Sequence, residues 1–166
     1  MTPKKYDANR LQKNTLAVIA IGNDLMGDDG AGPAVFAALQ TETLPVGIDF
    51  IDGGTGGMAL LHVIKAYKAV IFIDCVDFGG VPGEVRVFAP EEVTSSKTSR
   101  YSLHELDLLE VIHLSRKIGE VPETITIVAI QPERIGPGLP LSRAVSVAIP
   151  WAVKEALSQI MKMKHS

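Results

Sequence analysis

Acidic and imidazole side chains follow the predicted strands of this sequence, close to where each strand ends. Asp28 and Asp29 come after the first apolar segment, Asp74 closes the third, and His104 lies in the first turn of a helix that Ser102 opens. Two carboxylates and one imidazole form a reasonable three-ligand site for zinc or nickel, with coordination positions left open for water or substrate. Because thiolates are missing, these residue types predict an open metal site rather than a closed structural one.

The position of His104 suits metal binding. Ser102-Leu103-His104-Glu105 fits a capping box, in which a serine and a glutamate satisfy free N–H groups at a helix start. The positive end of the helix disfavours a charged imidazolium, so the neutral ring can offer a lone pair. An exposed first-turn histidine with no ligand role is the plain alternative.

Apolar periodicity predicts the elements that must position these side chains. Unbroken apolar segments such as 15–21 and 69–74 are typical of strands buried on both faces, so we expect them at the centre of a sheet. Polar and apolar residues alternate over 84–89, which favours an edge strand. The full prediction is strands at 15–21, 48–52, 69–74, 84–89 and 124–130, with helices around 35–39, 60–67, 102–117 and 142–163.

Alternating strands and helices predict an α/β fold. We expect a three-layer sandwich in which helices cover both faces of a mostly parallel, twisted sheet of about five strands. Pro150 should kink the last helix or split it in two. In such sheets ligands bind at the carboxyl ends of the strands, near a topological switch point. Further polar residues that follow strand ends are Asn23, Asp52, Asp77, Gln131 and Glu133.

Composition excludes several classes of protein. The 166 residues suit one domain, which we place at 15–166, with the polar residues 1–14 as a flexible tail. A net charge of −3 argues against a nucleic-acid-binding protein. The longest apolar run, Leu16–Ile21, is far shorter than the roughly 20 residues of a membrane span. Cys75 is the only cysteine, so no internal disulfide is possible and a reducing compartment, the cytoplasm, is expected.

Common catalytic motifs are missing from the sequence. Residues 27–32 lack the glycine spacing of a dinucleotide fingerprint, and no phosphate-loop lysine is present. The sequence has neither a His-Glu-x-x-His helix nor a Gly-x-Ser-x-Gly elbow. A nucleotide enzyme, a zincin and a serine hydrolase are therefore disfavoured.

Structural roles compete with chemical ones at each acidic position. Asp28 or Asp29 could cap the helix that follows, because aspartate is a favoured N-cap. Asp74 could accept backbone hydrogen bonds at a strand end, and Asp77 could be a turn residue before Gly79. The residues alone leave these alternatives open.

Several sequence blocks occur in a fixed order along the chain. They are Ile21-Gly22-Asn23, Met26-Gly27-Asp28-Asp29-Gly30-Ala31-Gly32-Pro33, Ile51-Asp52-Gly53-Gly54-Thr55, Val70-Ile71-Phe72-Ile73-Asp74, Pro82-Gly83-Glu84, Ser102-Leu103-His104-Glu105-Leu106 and Ile130-Gln131-Pro132-Glu133. Any single block is weak, whereas the ordered set is specific and spans residues 15 to about 160. With these blocks the sequence resembles the hydrogenase maturation endopeptidases, which trim a C-terminal extension from the large subunit of nickel–iron hydrogenases.

The resemblance implies catalytic and metal-binding roles for three residues. The family's acid in the first loop falls on Asp29, its second carboxylate falls on Asp74, and its histidine falls on His104. Asp29 is one methylene shorter than the glutamate that some members carry. The residues that we expect to bind substrate or to support these ligands are Asn23, Asp28, Gly53, Gly54, Thr55, Asp77, Gln131 and Glu133.

The resemblance also implies the reaction. An aspartic-type endopeptidase of this family acts in the cytoplasm on the large-subunit precursor of a nickel–iron hydrogenase, and the nickel already held by that precursor engages the enzyme's ligands. No organic cofactor is expected, and zinc or cadmium could occupy the same ligands. The alternatives are a small zinc-dependent metallohydrolase and a non-catalytic metallochaperone for the hydrogenase precursor.

Overall fold

Five strands and four α-helices lie within the residues that a computed structural model describes, 15–92 and 103–164. The predicted N-terminal tail, 1–14, and the predicted cap Ser102 lie outside the described residues, as do the side chains of 103–107. The elements are β1 Leu16–Ala20, α1 Ala31–Leu39, β2 Ile48–Asp52, α2 Ala59–Ile64, β3 Ala69–Cys75, β4 Val85–Phe88, α3 Leu103–Lys117, β5 Thr124–Ile130 and α4 Arg143–Lys164.

The strands form one sheet in the order β2-β1-β3-β5-β4. All neighbours are parallel except β4, which runs antiparallel to β5. Leu16 in β1 is in register with Ile48 in β2 and with Ala69 in β3. The predicted central positions of β1 and β3 and the predicted edge position of β4 are confirmed.

Successive residues of β1 enter two separate cores, one on each face of the sheet. Leu16 and Val18 pack on the face that α1 and α4 cover, beside Val35 and Val145. Ala17 and Ile19 pack on the face that α2 and α3 cover. The predicted three-layer α/β sandwich is therefore confirmed, and the central strand β1 is apolar throughout because both of its faces are buried.

The chain reverses direction across the sheet at β1. It leaves β1 for β2 on one side and then returns to β3 on the other, so the topological switch point lies between β1 and β3. Helix α1 begins directly over this point. A Cβ atom on Gly32 would lie 2.0 Å from the carbonyl oxygen of Ile21 and 2.8 Å from that of Ile73. Glycine is thus required for α1 to approach the carboxyl ends of these two strands.

Pro150 does not divide the C-terminal helix. Helix α4 is continuous from Arg143 to Lys164 with Pro150 inside it, so the prediction that the proline could split it is wrong. Pro150 and Ser146, whose carbonyl loses its hydrogen-bond donor, are both exposed, so water can solvate that carbonyl. Buried side chains on both sides, including Val145 and Val153, hold the helix against the sheet.

No helix in the described parts of the chain combines the length and the apolar character needed to span a membrane.

We predict that Gly32→Ala destabilises the protein by about 2–4 kcal/mol, because the new methyl group overlaps two strand carbonyls. Gly119→Ala is the matched control. A Cβ atom at Gly119 meets nothing within 4 Å, so only its left-handed backbone, with φ of +73°, opposes the change. That strain costs about 1–2 kcal/mol. Urea unfolding of both variants measures the difference, and equal losses would contradict the close-approach explanation.

We predict that the contribution of Glu84 to the free energy of unfolding is lost at low pH. The backbone N–H of Val81, and then the guanidinium of Arg86, hold the pKa of the Glu84 carboxyl below its ordinary value of 4.5. This contribution is complete above pH 4.5 and is lost as the pH falls through the lowered pKa. Glu84→Gln should therefore flatten the dependence of unfolding free energy on pH below 4.5. Chemical denaturation at a series of pH values tests this, and an unchanged slope would contradict it.

Candidate active site

Asp29 lies in a short 3-10 turn, Asp28–Gly30, between β1 and α1. The turn packs against β3, and the Asp29 side chain is buried. The backbone N–H of Asn23 donates to the Asp29 carbonyl at 3.2 Å. Gly22 makes this possible, since a Cβ atom on it would lie 2.0 Å from the same carbonyl oxygen. The loop after β1 is therefore folded tightly enough to hold Asp29 beside the neighbouring strand.

Asp74 is next to last in β3 and is buried as well. Its Oδ1 accepts a hydrogen bond of 2.7 Å from the backbone N–H of Cys75. Because β3 pairs with β1, Asp74 and the turn that carries Asp29 both lie at the β1–β3 switch point. This is the part of an α/β sheet where ligands bind.

The Asp28 side chain binds the segment between β5 and α4, which is far away in the sequence, and holds it against the turn that contains Asp29. Its Oδ2 accepts hydrogen bonds from the backbone N–H groups of Glu133 at 2.8 Å and Arg134 at 2.9 Å, and its Oδ1 accepts from that of Ser142 at 2.6 Å. The side chain is fully buried. Asp28 does not cap α1, whose N-cap is Gly30 with no side-chain hydrogen bond. Three charge-assisted hydrogen bonds offset the cost of burying this carboxylate.

Ser142 is a residue that the sequence reasoning missed. Its backbone N–H binds Asp28, and its Oγ accepts a hydrogen bond of 3.2 Å from Val145, in the first turn of α4. A serine directly before an amphipathic helix was the available signal for this cap. The hydrogen bond from Ser142 to Asp28 could not be predicted from a local sequence pattern, because it joins residues far apart in the sequence.

Gln131 organises the loop after β3. This buried side chain accepts hydrogen bonds through Oε1 from the backbone N–H groups of Phe78 and Gly80, both at 3.0 Å. Its Nε2 donates to Asp77 Oδ1 at 3.0 Å, and the same oxygen accepts the N–H of Gly79 at 3.2 Å. Asp77 is thus a turn residue that also contacts a buried amide.

The glycine-rich loop after β2 is tied to β1. Gly53 donates to the Ala20 carbonyl at 2.8 Å, and Gly54 accepts from the N–H of Gly22 at 2.8 Å. Asp52 Oδ1 accepts the N–H of Gly54 at 2.9 Å, and Thr55 is exposed. This loop therefore borders the switch point and leaves its outer side open to a ligand.

Two further predicted residues have mainly local roles in the structure. The Asn23 side chain accepts the N–H of Leu25 at 3.0 Å and so shapes the loop after β1. Glu133 is exposed, and its backbone rather than its carboxylate contacts Asp28.

His104 belongs to the first turn of α3, and its side chain lies outside the described residues. The other end of α3 is at the edge where the parallel strands begin, because Arg116 pairs with Glu91 and lines the same cavity as Thr124, the first residue of β5. Helix α3 has 15 residues and is therefore roughly 22 Å long. Its first turn is at the opposite end from Arg116 and so lies toward the edge where the parallel strands end.

Within the described side chains, no three histidine, cysteine, aspartate or glutamate groups gather closely enough to hold a metal ion. The predicted third ligand, His104, is outside that set. The described part of the site therefore contains two buried carboxylates, Asp29 and Asp74, on adjacent elements.

Comparisons with known proteins agree on one family. The family model described as HycI, hydrogenase maturation protease, matches residues 33–159. The chain is 32% identical over 147 residues to the hydrogenase 2 maturation protease of Escherichia coli strain K12, covering 87% of this chain and 90% of that protein. It is also 32% identical over 146 residues to the hydrogenase expression/formation protein HupD of Rhodobacter capsulatus, covering 86% and 70% respectively.

The fold agrees with the same family. The structure of the hydrogenase maturating endopeptidase HybD from Escherichia coli superposes with a TM-score of 0.80 at 30% identity, covering 89% of this chain and 93% of that one. The maturation peptidase from Thaumarchaeota archaeon SCGC_AB-539-E09 superposes with a TM-score of 0.65 at 32% identity, covering 89% and 98%. This chain is therefore a peptidase and belongs to the hydrogenase maturation protease family.

Proposed function

We propose that this peptidase removes the C-terminal extension of the large-subunit precursor of a nickel–iron hydrogenase after nickel has been inserted. The observation that carries the proposal is the burial of two carboxylates, Asp29 and Asp74, at the switch point of the sheet. Related proteins are named as proteases that mature hydrogenases, which supports the same substrate class.

The substrate supplies the metal in this proposal. Carboxylate and imidazole groups are ligands that divalent zinc and nickel accept. Asp29 and Asp74 are buried on adjacent elements, and the imidazole of His104 on α3 would complete a three-ligand set. Asp29, Asp74 and His104 then bind the nickel that the precursor already contains, so the enzyme needs no resident metal. Zinc or cadmium added to the protein would use the same ligands.

Binding of the precursor's nickel positions the peptide bond that is cleaved within the active site. Nickel held in the precursor fixes the adjacent C-terminal segment against the carboxyl edge of the sheet, which supplies the proximity on which hydrolysis depends. The loop around Gly53 and Gly54 borders this position, and its exposed residue Thr55 is accessible to a peptide. The two carboxylates of Asp29 and Asp74 make this an aspartic-type endopeptidase, and the His104 imidazole is the third ligand. We also infer a cytoplasmic enzyme, because Cys75 is the sole cysteine.

Asp29→Ala, Asp74→Ala and His104→Ala are each expected to abolish processing without unfolding the protein, because each removes one metal ligand. Asp24→Ala and His113→Ala are the matched controls, since Asp24 is exposed in the same loop as Asp29 and His113 is exposed on α3. The mass of the nickel-loaded precursor after incubation measures cleavage, and circular dichroism measures folding. Normal cleavage by any of the three site variants would remove that residue from the ligand set.

Cleavage is expected only when the precursor contains nickel. One precursor preparation is divided into nickel-loaded and nickel-free portions and incubated with the peptidase in chelator-washed buffer. The account predicts a loss of precursor mass in the loaded portion alone, with no stoichiometric metal in the isolated peptidase. Equal cleavage of both portions would contradict nickel recognition. Tightly bound zinc in the purified chain would favour a metallohydrolase, and binding without any mass change would favour a metallochaperone.

A further inference from the structure

Two buried side chains join the loops that carry the proposed ligands. Asp28 binds three backbone N–H groups of the segment between β5 and α4. Gln131, the first residue of that segment, binds two backbone N–H groups and one carboxylate of the loop after β3. Residues 131–142, here called the bridging segment, therefore contact both the Asp29 turn and the loop that follows Asp74.

The bridging segment is fixed at further points. Its backbone pairs with the turn after β1, since Gly27 donates to the Leu139 carbonyl at 3.0 Å and Asp28 donates to that of Arg134 at 3.0 Å. At its other end, Gln131 donates through its backbone to Glu84 at 2.8 Å and accepts from Gly83 at 2.9 Å. Because the bridging segment is held at both ends, it can keep the turn after β1 and the loop after β3 at a fixed distance from each other.

We propose that Gln131 is a positioning residue, which sets the loop after Asp74 relative to the Asp29 turn and so sets the spacing of the two ligand carboxylates. The inference rests on the proposed function, because it takes Asp29 and Asp74 as ligands of one cation. Its basis is geometric: the buried amide uses both its oxygen and its nitrogen on the loop Asp77–Gly80, three residues beyond Asp74.

The amide is specifically required at this position. Its oxygen accepts two backbone N–H groups, while its nitrogen donates to the Asp77 carboxylate. A glutamate at residue 131 would keep the acceptor but bring a second carboxylate to the oxygen of Asp77, which the Gln131 nitrogen now approaches at 3.0 Å. Repulsion between the two would displace the loop. Combining Asp77→Asn with Gln131→Glu restores one donor and one acceptor between the two side chains with the original net charge. The backbone N–H of Gly79, which Asp77 Oδ1 accepts at 3.2 Å, then loses this partner, but Gly79 is exposed and water can replace it.

The experiment compares Gln131→Glu, the double variant Asp77→Asn/Gln131→Glu and the control Gln40→Glu, which makes the same chemical change at an exposed glutamine. Isothermal titration with cadmium measures metal affinity of the whole chain, and kcat and KM are measured on nickel-loaded precursor. Supporting groups of metal ligands typically change affinity or activity by 10–100-fold. We expect a loss of roughly that size in cadmium affinity and kcat for Gln131→Glu, recovery to within about threefold in the double variant, and wild-type behaviour for the control.

Wild-type cadmium affinity in Gln131→Glu, or a double variant as defective as the single one, would overturn the proposal. A wild-type chain that binds no cadmium would overturn it too. If Gln131→Glu does not fold, Gln131→Met replaces it, because it removes the amide without adding charge, and an unchanged affinity would again be contradictory. Failure of the wild type to cleave nickel-loaded precursor would contradict the proposed function, whereas the cadmium affinities still test the positioning role of Gln131.

Discussion

The arrangement of the site depends on the buried carboxylate of Asp28. Three backbone N–H groups satisfy it, so the segment between β5 and α4 must lie against the turn after β1. Removing the carboxylate would leave those N–H groups without their acceptor, at a cost of about 1–3 kcal/mol for the buried one of Ser142. Because Asp29 is the next residue, the same hydrogen bonds that hold the segment also decide where Asp29 lies.

The acidic residues at this place in the fold are proposed to have different roles. Asp28 accepts three backbone hydrogen bonds and has a structural role, whereas Asp29 and Asp74, the proposed metal ligands, lie at the switch point, where open α/β sheets bind ligands. Gly32 brings α1 close enough to the strand ends to bury this region. Gln131 then ties the loop after β3 to the same framework. In the proposed site, contacts of this kind on two central strands would hold Asp29 and Asp74 at a fixed spacing before a cation binds.

Periodicity predicted the sheet because burial on both faces requires unbroken apolar strands, as in β1 and β3, while the half-covered edge strand β4 alternates. The residue types at the strand ends likewise predicted that Asp29 and Asp74 lie at the same edge of the sheet, and both are buried at the β1–β3 switch point. Local patterns could not predict contacts across long distances in sequence: capping of a helix was the local alternative for Asp28, yet its hydrogen-bond partners lie 105 to 114 residues away. For Pro150, local sequence could not show that α4 stays continuous, since packing of α4 on the sheet outweighs the local cost of a proline.

The central claim is that Asp29, Asp74 and His104 bind the nickel of the precursor. Its most direct test is the nickel X-ray absorption spectrum of nickel-loaded precursor, recorded alone and in a mixture frozen soon after the peptidase is added. The account predicts additional oxygen and nitrogen ligands on nickel in the mixture, and their absence when Asp74→Ala replaces the wild type. A spectrum that does not change when the wild-type chain is added, while cleavage proceeds, would contradict the account.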